Sequence, residues 1–64
     1  MPIINITILP QSTEKKAEIA KVFTAELHRI TGIHTQAMTV VFNELPAENC
    51  ATNGELLSEQ FKRR

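Results

Sequence analysis

From Ile3 to Leu9 the chain alternates in a way that suits extended backbone: Ile4, Ile6 and Ile8 fall on one side, and Ile3, Asn5, Thr7 and Leu9 on the other. Both sides are largely apolar, which predicts a strand covered on both faces. Pro10 stops it. Ser12 or Thr13 then caps a helix whose first turn carries Glu14 at the positive end of the helix dipole. Ile19, Ala20, Phe23, Leu27 and Ile30 recur at three- and four-residue steps and make one apolar stripe, while Lys15, Lys16, Glu18, Lys21 and Glu26 lie mostly elsewhere. Gly32 sits where a helix C-terminal cap belongs. Met38 to Asn43, rich in β-branched and apolar residues, predicts a second strand.

A strand, a crossover helix of this length and a second strand predict a right-handed βαβ unit with parallel strands. Leu45 to Asn53 reads as a loop, and Asn53-Gly54 as a turn or the start of a hairpin. Glu55 to Lys62 reads as a short helix or an arm that reaches a neighbouring subunit. There is no internal repeat and no linker, so the expectation is one α+β domain over residues 1–64. Two strands and one helix leave a sheet face and both sheet edges bare. Assembly through the sheet would cover them.

Size sharpens that point. A 64-residue chain buries too small a fraction of its surface to be comfortably stable alone. Its one cysteine, Cys50, allows no internal disulfide, and no Cys or His cluster suggests a structural metal. With 42% hydrophobic residues, part of the apolar surface should face a partner subunit. Seven basic and seven acidic residues give a formal net charge of zero, which invites neither a nucleic-acid polyanion nor an anionic membrane; Lys62, Arg63 and Arg64 are only a short local patch. No run approaches the ~20 apolar residues of a membrane span, and no signal-peptide pattern opens the chain, so the cytoplasm is the expected location.

Proline directly after the initiator methionine, opening Pro2-Ile3-Ile4-Asn5-Ile6 ahead of a βαβ unit of about sixty residues, resembles the 4-oxalocrotonate tautomerase family. The likeness continues through Ser12-Thr13-Glu14-Lys15-Lys16, through Thr39-Val40-Val41-Phe42 ending at Glu44, and through Gly54-Glu55-Leu56. It implies an isomerase whose catalytic group is Pro2, exposed once Met1 is removed. A terminal proline carries a secondary amine, and an α-amino group titrates at about 7.7 to 8.0 before its surroundings act. When neutral, that amine can take a proton from carbon beside a carbonyl and return it elsewhere, which is enol-keto tautomerisation. The resemblance further implies a small enol or α-keto acid substrate, a homohexamer built as a trimer of dimers, active sites at subunit interfaces, no metal and no organic cofactor.

The chain departs from the family at the substrate-binding positions. Gln11 and Thr39 stand where the best-known members carry arginines that hold substrate carboxylates, and Cys50 stands where they carry an aromatic residue. Neutral side chains do not reproduce bidentate arginine contacts, which argues against dicarboxylate chemistry. Gln11, Thr39 and Cys50 remain candidate substrate-binding residues. Arg29, Arg63, Arg64, Lys15 or Lys16 of a neighbouring subunit are candidates to replace the lost cations. Cys50 has no basic partner near it in sequence and reads better as a small hydrophobe than as a nucleophile. His28 and His34, six residues apart, match no usual metal-ligand spacing and read as exposed or capping groups. Three alternatives stand beside the tautomerase reading: a hydratase or dehalogenase with Pro2 protonated, a non-catalytic oligomeric binding module, and one subunit type of a hetero-oligomer.

Overall fold

The computed structural model describes residues 1–63; Arg64 lies outside the described residues. The first strand, β1, spans Ile3–Ile8, the long helix α1 spans Thr13–Thr31, and the second strand, β2, spans Thr39–Glu44. β1 and β2 pair in parallel, with Ile3 opposite Thr39 and Ile8 opposite Glu44. The ladder extends one bond at each end, Thr39 N–H to the Pro2 carbonyl at 3.1 Å and Leu45 N–H to the Ile8 carbonyl at 3.0 Å. The predicted βαβ unit is therefore present. Its strand ends differ slightly from the expectation: β1 stops before Leu9, and β2 runs from Thr39 to Glu44 rather than from Met38 to Asn43.

The caps follow the predicted chemistry. The Ser12 hydroxyl accepts a bond from Lys15 N–H at 3.2 Å, satisfying one of the orphan donors at the start of α1. At the other end Gly32 takes the left-handed conformation (φ 76°) and donates its N–H to the His28 carbonyl at 2.8 Å. Ser12→Ala is expected to cost about 1 kcal/mol, read as a lower thermal midpoint with no change in assembly size.

Past β2 the chain forms a compact arm. A 3₁₀ turn at Ala47–Asn49 leads to β3 (Ala51–Thr52), which pairs antiparallel with β4 (Glu55–Leu56). Asn53 and Gly54 between them have φ of 55° and 79°, the pair of positive values that a tight hairpin turn of the mirror-image type demands. α2 (Leu57–Lys62) follows, held to the arm by Leu57 N–H bonding to the Cys50 carbonyl at 2.8 Å. The expected loop over residues 45–53 thus contains a helical turn and a strand that no periodicity announced. A second 3₁₀ turn, Thr35–Ala37, joins α1 to β2.

Packing within one chain is thin. Ile4, Ile6 and Ile8 of β1 and Val40, Phe42 and Glu44 of β2 are half-buried on the side of the sheet that α1 covers. The other side, carrying Ile3, Asn5, Thr7, Thr39, Val41 and Asn43, is exposed. The expectation of a strand covered on both faces is therefore not met inside one chain, because the chain has only one long helix to lay on the sheet. No described residue is fully buried, and Val22, Phe23 and Ile30 of α1 are 52%, 47% and 67% exposed.

Two global measures agree. The Cα radius of gyration is 15.3 Å, against about 11 Å for a compact domain of this length. The surface is 4965 Å², against about 4,100 Å² for a folded monomer of this mass. The excess is roughly one partner's share of a standard protein interface.

Candidate active site

Pro2 is half-buried, one residue ahead of β1, and it is fixed by its own carbonyl, which accepts the Thr39 N–H. A proline costs the ladder nothing here, because the missing donor falls just ahead of the strand. Strand alternation puts Pro2 on the same side as Ile4, the helix side. Thr39 meets Pro2 through its backbone; its side chain lies on the open face, across from Ile3. Met38, half-buried beside Thr39, falls on Pro2's side of the sheet. Met1 is 85% exposed.

Gln11 lies at the opposite end of the sheet. Its backbone N–H donates to Glu44 Oε2 at 2.8 Å, and its side-chain Nε2 donates to the Leu9 carbonyl at 3.1 Å. β1 separates that end from Pro2 by about 20 Å, at roughly 3.3 Å per residue. Cys50 belongs to the arm, which leaves the sheet at the Glu44 end. One chain therefore brings Pro2 and Thr39 together and holds Gln11 and the root of the Cys50 arm away from them.

Glu44 is the residue that sequence reasoning passed over. It ends β2, and its carboxylate joins three segments: Oε2 takes the Gln11 N–H, and Oε1 takes the Lys16 ammonium at 2.8 Å. Both side chains of this ion pair are about 70% covered, with 28% and 29% of their surface exposed. The hydrogen bond from Lys16, then that from the Gln11 backbone, hold the Glu44 carboxyl below its ordinary value of 4.5. A depressed carboxyl stabilises the fold above its unfolded pKa and loses that contribution as pH falls through the folded value. Wild-type protein should thus lose thermal stability as pH drops below about 4.5, and Glu44→Gln should start lower and flatten that part of the profile. An acid thermal-denaturation series of both proteins checks it.

The same inventory narrows the candidate cations. Lys16 is taken by Glu44, Arg29 by Glu26 through its Nε at 2.7 Å and its Nη2, and Arg63 by Glu55 through both terminal nitrogens. Lys62 reaches Glu59 at 3.4 Å. Arg64 lies outside the described residues. Among the described residues this leaves Lys15 and Lys21 without a carboxylate partner. His28 closes the end of α1, its Nδ1 at 2.7 Å from the Ile33 carbonyl, while His34 precedes the 3₁₀ turn and is exposed. No described helix is long and apolar enough to cross a membrane.

A parallel βαβ unit that begins immediately after a proline, leaves no described residue fully buried and ends in a hairpin arm defines a class of small α+β folds with a proline at the sheet's leading end. The chain belongs to the tautomerase enzyme family, whose sequence model matches residues 2–60. It is similar to the crystal structure of TomN, a 4-oxalocrotonate tautomerase homologue in the tomaymycin biosynthetic pathway, at 27% identity, a TM-score of 0.88 and 95% coverage of each chain. It is also similar to a heterohexamer 4-oxalocrotonate tautomerase from Chloroflexus aurantiacus J-10-fl, at 27% identity, a TM-score of 0.83 and coverage of 92% of this chain and 97% of that one. DmpI from Archaeoglobus fulgidus matches at 28% identity, a TM-score of 0.80 and coverage of 89% and 98%. No curated protein matches by sequence.

Proposed function

We propose that this protein is a cofactor-independent isomerase that moves a proton between carbon and oxygen of a small monocarboxylic enol or α-keto acid, with the Pro2 amine as base and then acid. The observation that carries the reading is the position of Pro2: half-buried, pinned by its carbonyl to Thr39, and next to an exposed Met1. Removal of Met1 turns the Pro2 nitrogen from an amide, whose lone pair is delocalised, into a secondary amine that can accept a proton. The amine takes a proton from the enol hydroxyl or from the carbon beside the carbonyl and delivers it at the other atom. Hydrogen-bond donors such as the Gln11 amide or backbone N–H groups would steady the enolate oxygen between the two steps.

The working form in this reading is a homohexamer arranged as a trimer of dimers. Support comes from the absence of a fully buried residue among the described ones and from the distance between Pro2 and Gln11. A site that joins them takes Pro2 and the Thr39 backbone from one subunit and Gln11 from another. Cys50, at the root of a hairpin arm, would reach such a site only from a neighbouring chain. Because one similar protein is a heterohexamer, native mass measurement of purified protein is the check that a single subunit type suffices.

Deuterium exchange tests the activity. In heavy water, the C3 protons of phenylpyruvate should exchange faster with protein of verified N-terminal mass than in buffer, as followed by proton NMR. Exchange no faster than buffer, with Met1 shown to be absent, contradicts the reading.

A further inference from the structure

The arm's hairpin holds a chemically reactive pair. Asn53 and Gly54 form its turn, at φ of 55° and 79°, and both are exposed. A Cβ at Gly54 would meet nothing within 4 Å, so that side of the residue is open to solvent. Among the described residues, neither the Asn53 side-chain amide nor the Gly54 N–H joins a hydrogen bond. The other asparagines are guarded. Asn5 and Asn43 lie in the extended parallel ladder, and the Cys50 N–H, just after Asn49, donates to the Ala47 carbonyl at 3.3 Å. Of the chain's asparagines, Asn53 alone precedes a glycine, which has no side chain to hinder attack by its nitrogen.

We propose that Asn53 is a self-modification site, at which the protein turns an asparagine into aspartate and isoaspartate with water as the only co-reactant. The Gly54 nitrogen gives up its proton to water or hydroxide and bonds to the side-chain amide carbon of Asn53. The bond from that carbon to its own nitrogen breaks, ammonia leaves, and a succinimide ring closes. Water then opens the ring. Cleavage at the side-chain carbonyl leaves aspartate on the original main chain, and cleavage at the main-chain carbonyl leaves isoaspartate, whose main chain runs through the former side chain. The sum is the hydrolysis of an amide, with nothing oxidised or reduced. Because it uses only the chain and water, the conversion proceeds whether or not Pro2 is catalytic.

The arm sets the pace of this reaction. Ring closure needs the Asn53 side chain to swing over the Gly54 nitrogen, and the backbone between the two residues must rotate to allow it. The residues that flank the turn resist that rotation. Thr52 and Glu55 pair across the hairpin, the Gln60 Nε2 donates to their carbonyls at 3.4 and 3.1 Å, and both terminal nitrogens of Arg63 hold the Glu55 carboxylate. Conversion therefore runs through an opened hairpin, and the Arg63–Glu55 pair slows it. The products weaken the hairpin in turn. Isoaspartate lengthens the main chain inside a tight turn, and either product adds a carboxylate two positions from Glu55, competing for Arg63.

Ageing the intact protein tests both points. Full-length protein is held at mildly alkaline pH and physiological temperature, sampled over time, digested and mapped by mass spectrometry, with isoaspartate scored by methyl transfer from an isoaspartate methyltransferase. Acid should appear at Asn53 ahead of Asn5, Asn43 and Asn49, with isoaspartate among the products. Aged wild type should lose thermal midpoint, whereas Asn53→Gln should gain no acid at that position and hold its midpoint. Arg63→Met, with circular dichroism matching wild type, should convert up to about fivefold faster, the share that an exposed ion pair contributes to keeping the arm closed. Lys62→Met, which removes a neighbouring pair confined to α2, should convert at the wild-type rate. No acid at Asn53, or acid appearing first at another asparagine, would overturn the assignment. Equal rates in Arg63→Met and wild type would overturn the control given to the arm.

Discussion

Phe23→Asp should give a largely unfolded, monomer-sized chain by sedimentation, with lost helical circular dichroism, at a concentration where wild type is expected to sediment as an oligomer. Phe23 is 47% exposed in one chain, on an apolar helix face shared with Val22 and Ile30, and no described residue is fully buried. If that face is covered by another subunit, an aspartate there leaves an unpaired charge in an apolar interface, a change worth on the order of 3–5 kcal/mol. A domain of this length holds only about 3–10 kcal/mol in total. The wild type should correspondingly show a thermal midpoint that falls on dilution, as it does when folding and assembly are one equilibrium. A folded Phe23→Asp monomer would show that one chain is stable alone and would contradict the argument from its missing core.

Blocking the amine should have the largest effect on activity. Protein that keeps Met1, or carries residues ahead of Pro2 from an uncleaved tag, should ketonise phenylenolpyruvate at least about 10²-fold more slowly than protein starting at Pro2, the low end of what acid–base catalysis contributes. Its assembly should persist, because Met1 is 85% exposed and joins no hydrogen bond. The active form should gain rate with rising pH as the amine loses its proton, since the neutral amine is the form that accepts one. Equal rates for the two N-termini would remove Pro2 from the chemistry while leaving the family membership untouched.

Local chemistry made most of the fold legible in the sequence. The isoleucine alternation gave β1 to within one residue, and the Ser12 and Gly32 signals gave both ends of α1, because caps are decided by neighbours three and four positions away. Asn53-Gly54 marked the hairpin for the same reason: its two positive φ values are a property of those residues. The 3₁₀ turns at Thr35–Ala37 and Ala47–Asn49 carried no such signal, since three residues are too few to show a period.

The candidate site was only half legible. Proline after methionine pointed to the amine, but Glu44 gave no hint that it would meet Lys16 and Gln11, which lie 28 and 33 residues away along the chain. That clamp matters to function, because it occupies one of the cations sequence alone offered as a carboxylate binder. Arg29 and Arg63 are removed from the same pool by glutamates that become neighbours through the helix turn and the hairpin arm. The separation of Pro2 from Gln11 is likewise a consequence of parallel pairing, and residue numbers alone do not reveal it.

The most direct test of the account is the ketonisation rate of phenylenolpyruvate for protein whose mass shows Met1 removed, measured beside Pro2→Ala of equal assembly size. The account predicts a protein-dependent rate that falls at least about 10²-fold in the variant. A rate no greater than buffer for the wild type, or one that Pro2→Ala leaves unchanged, would contradict it.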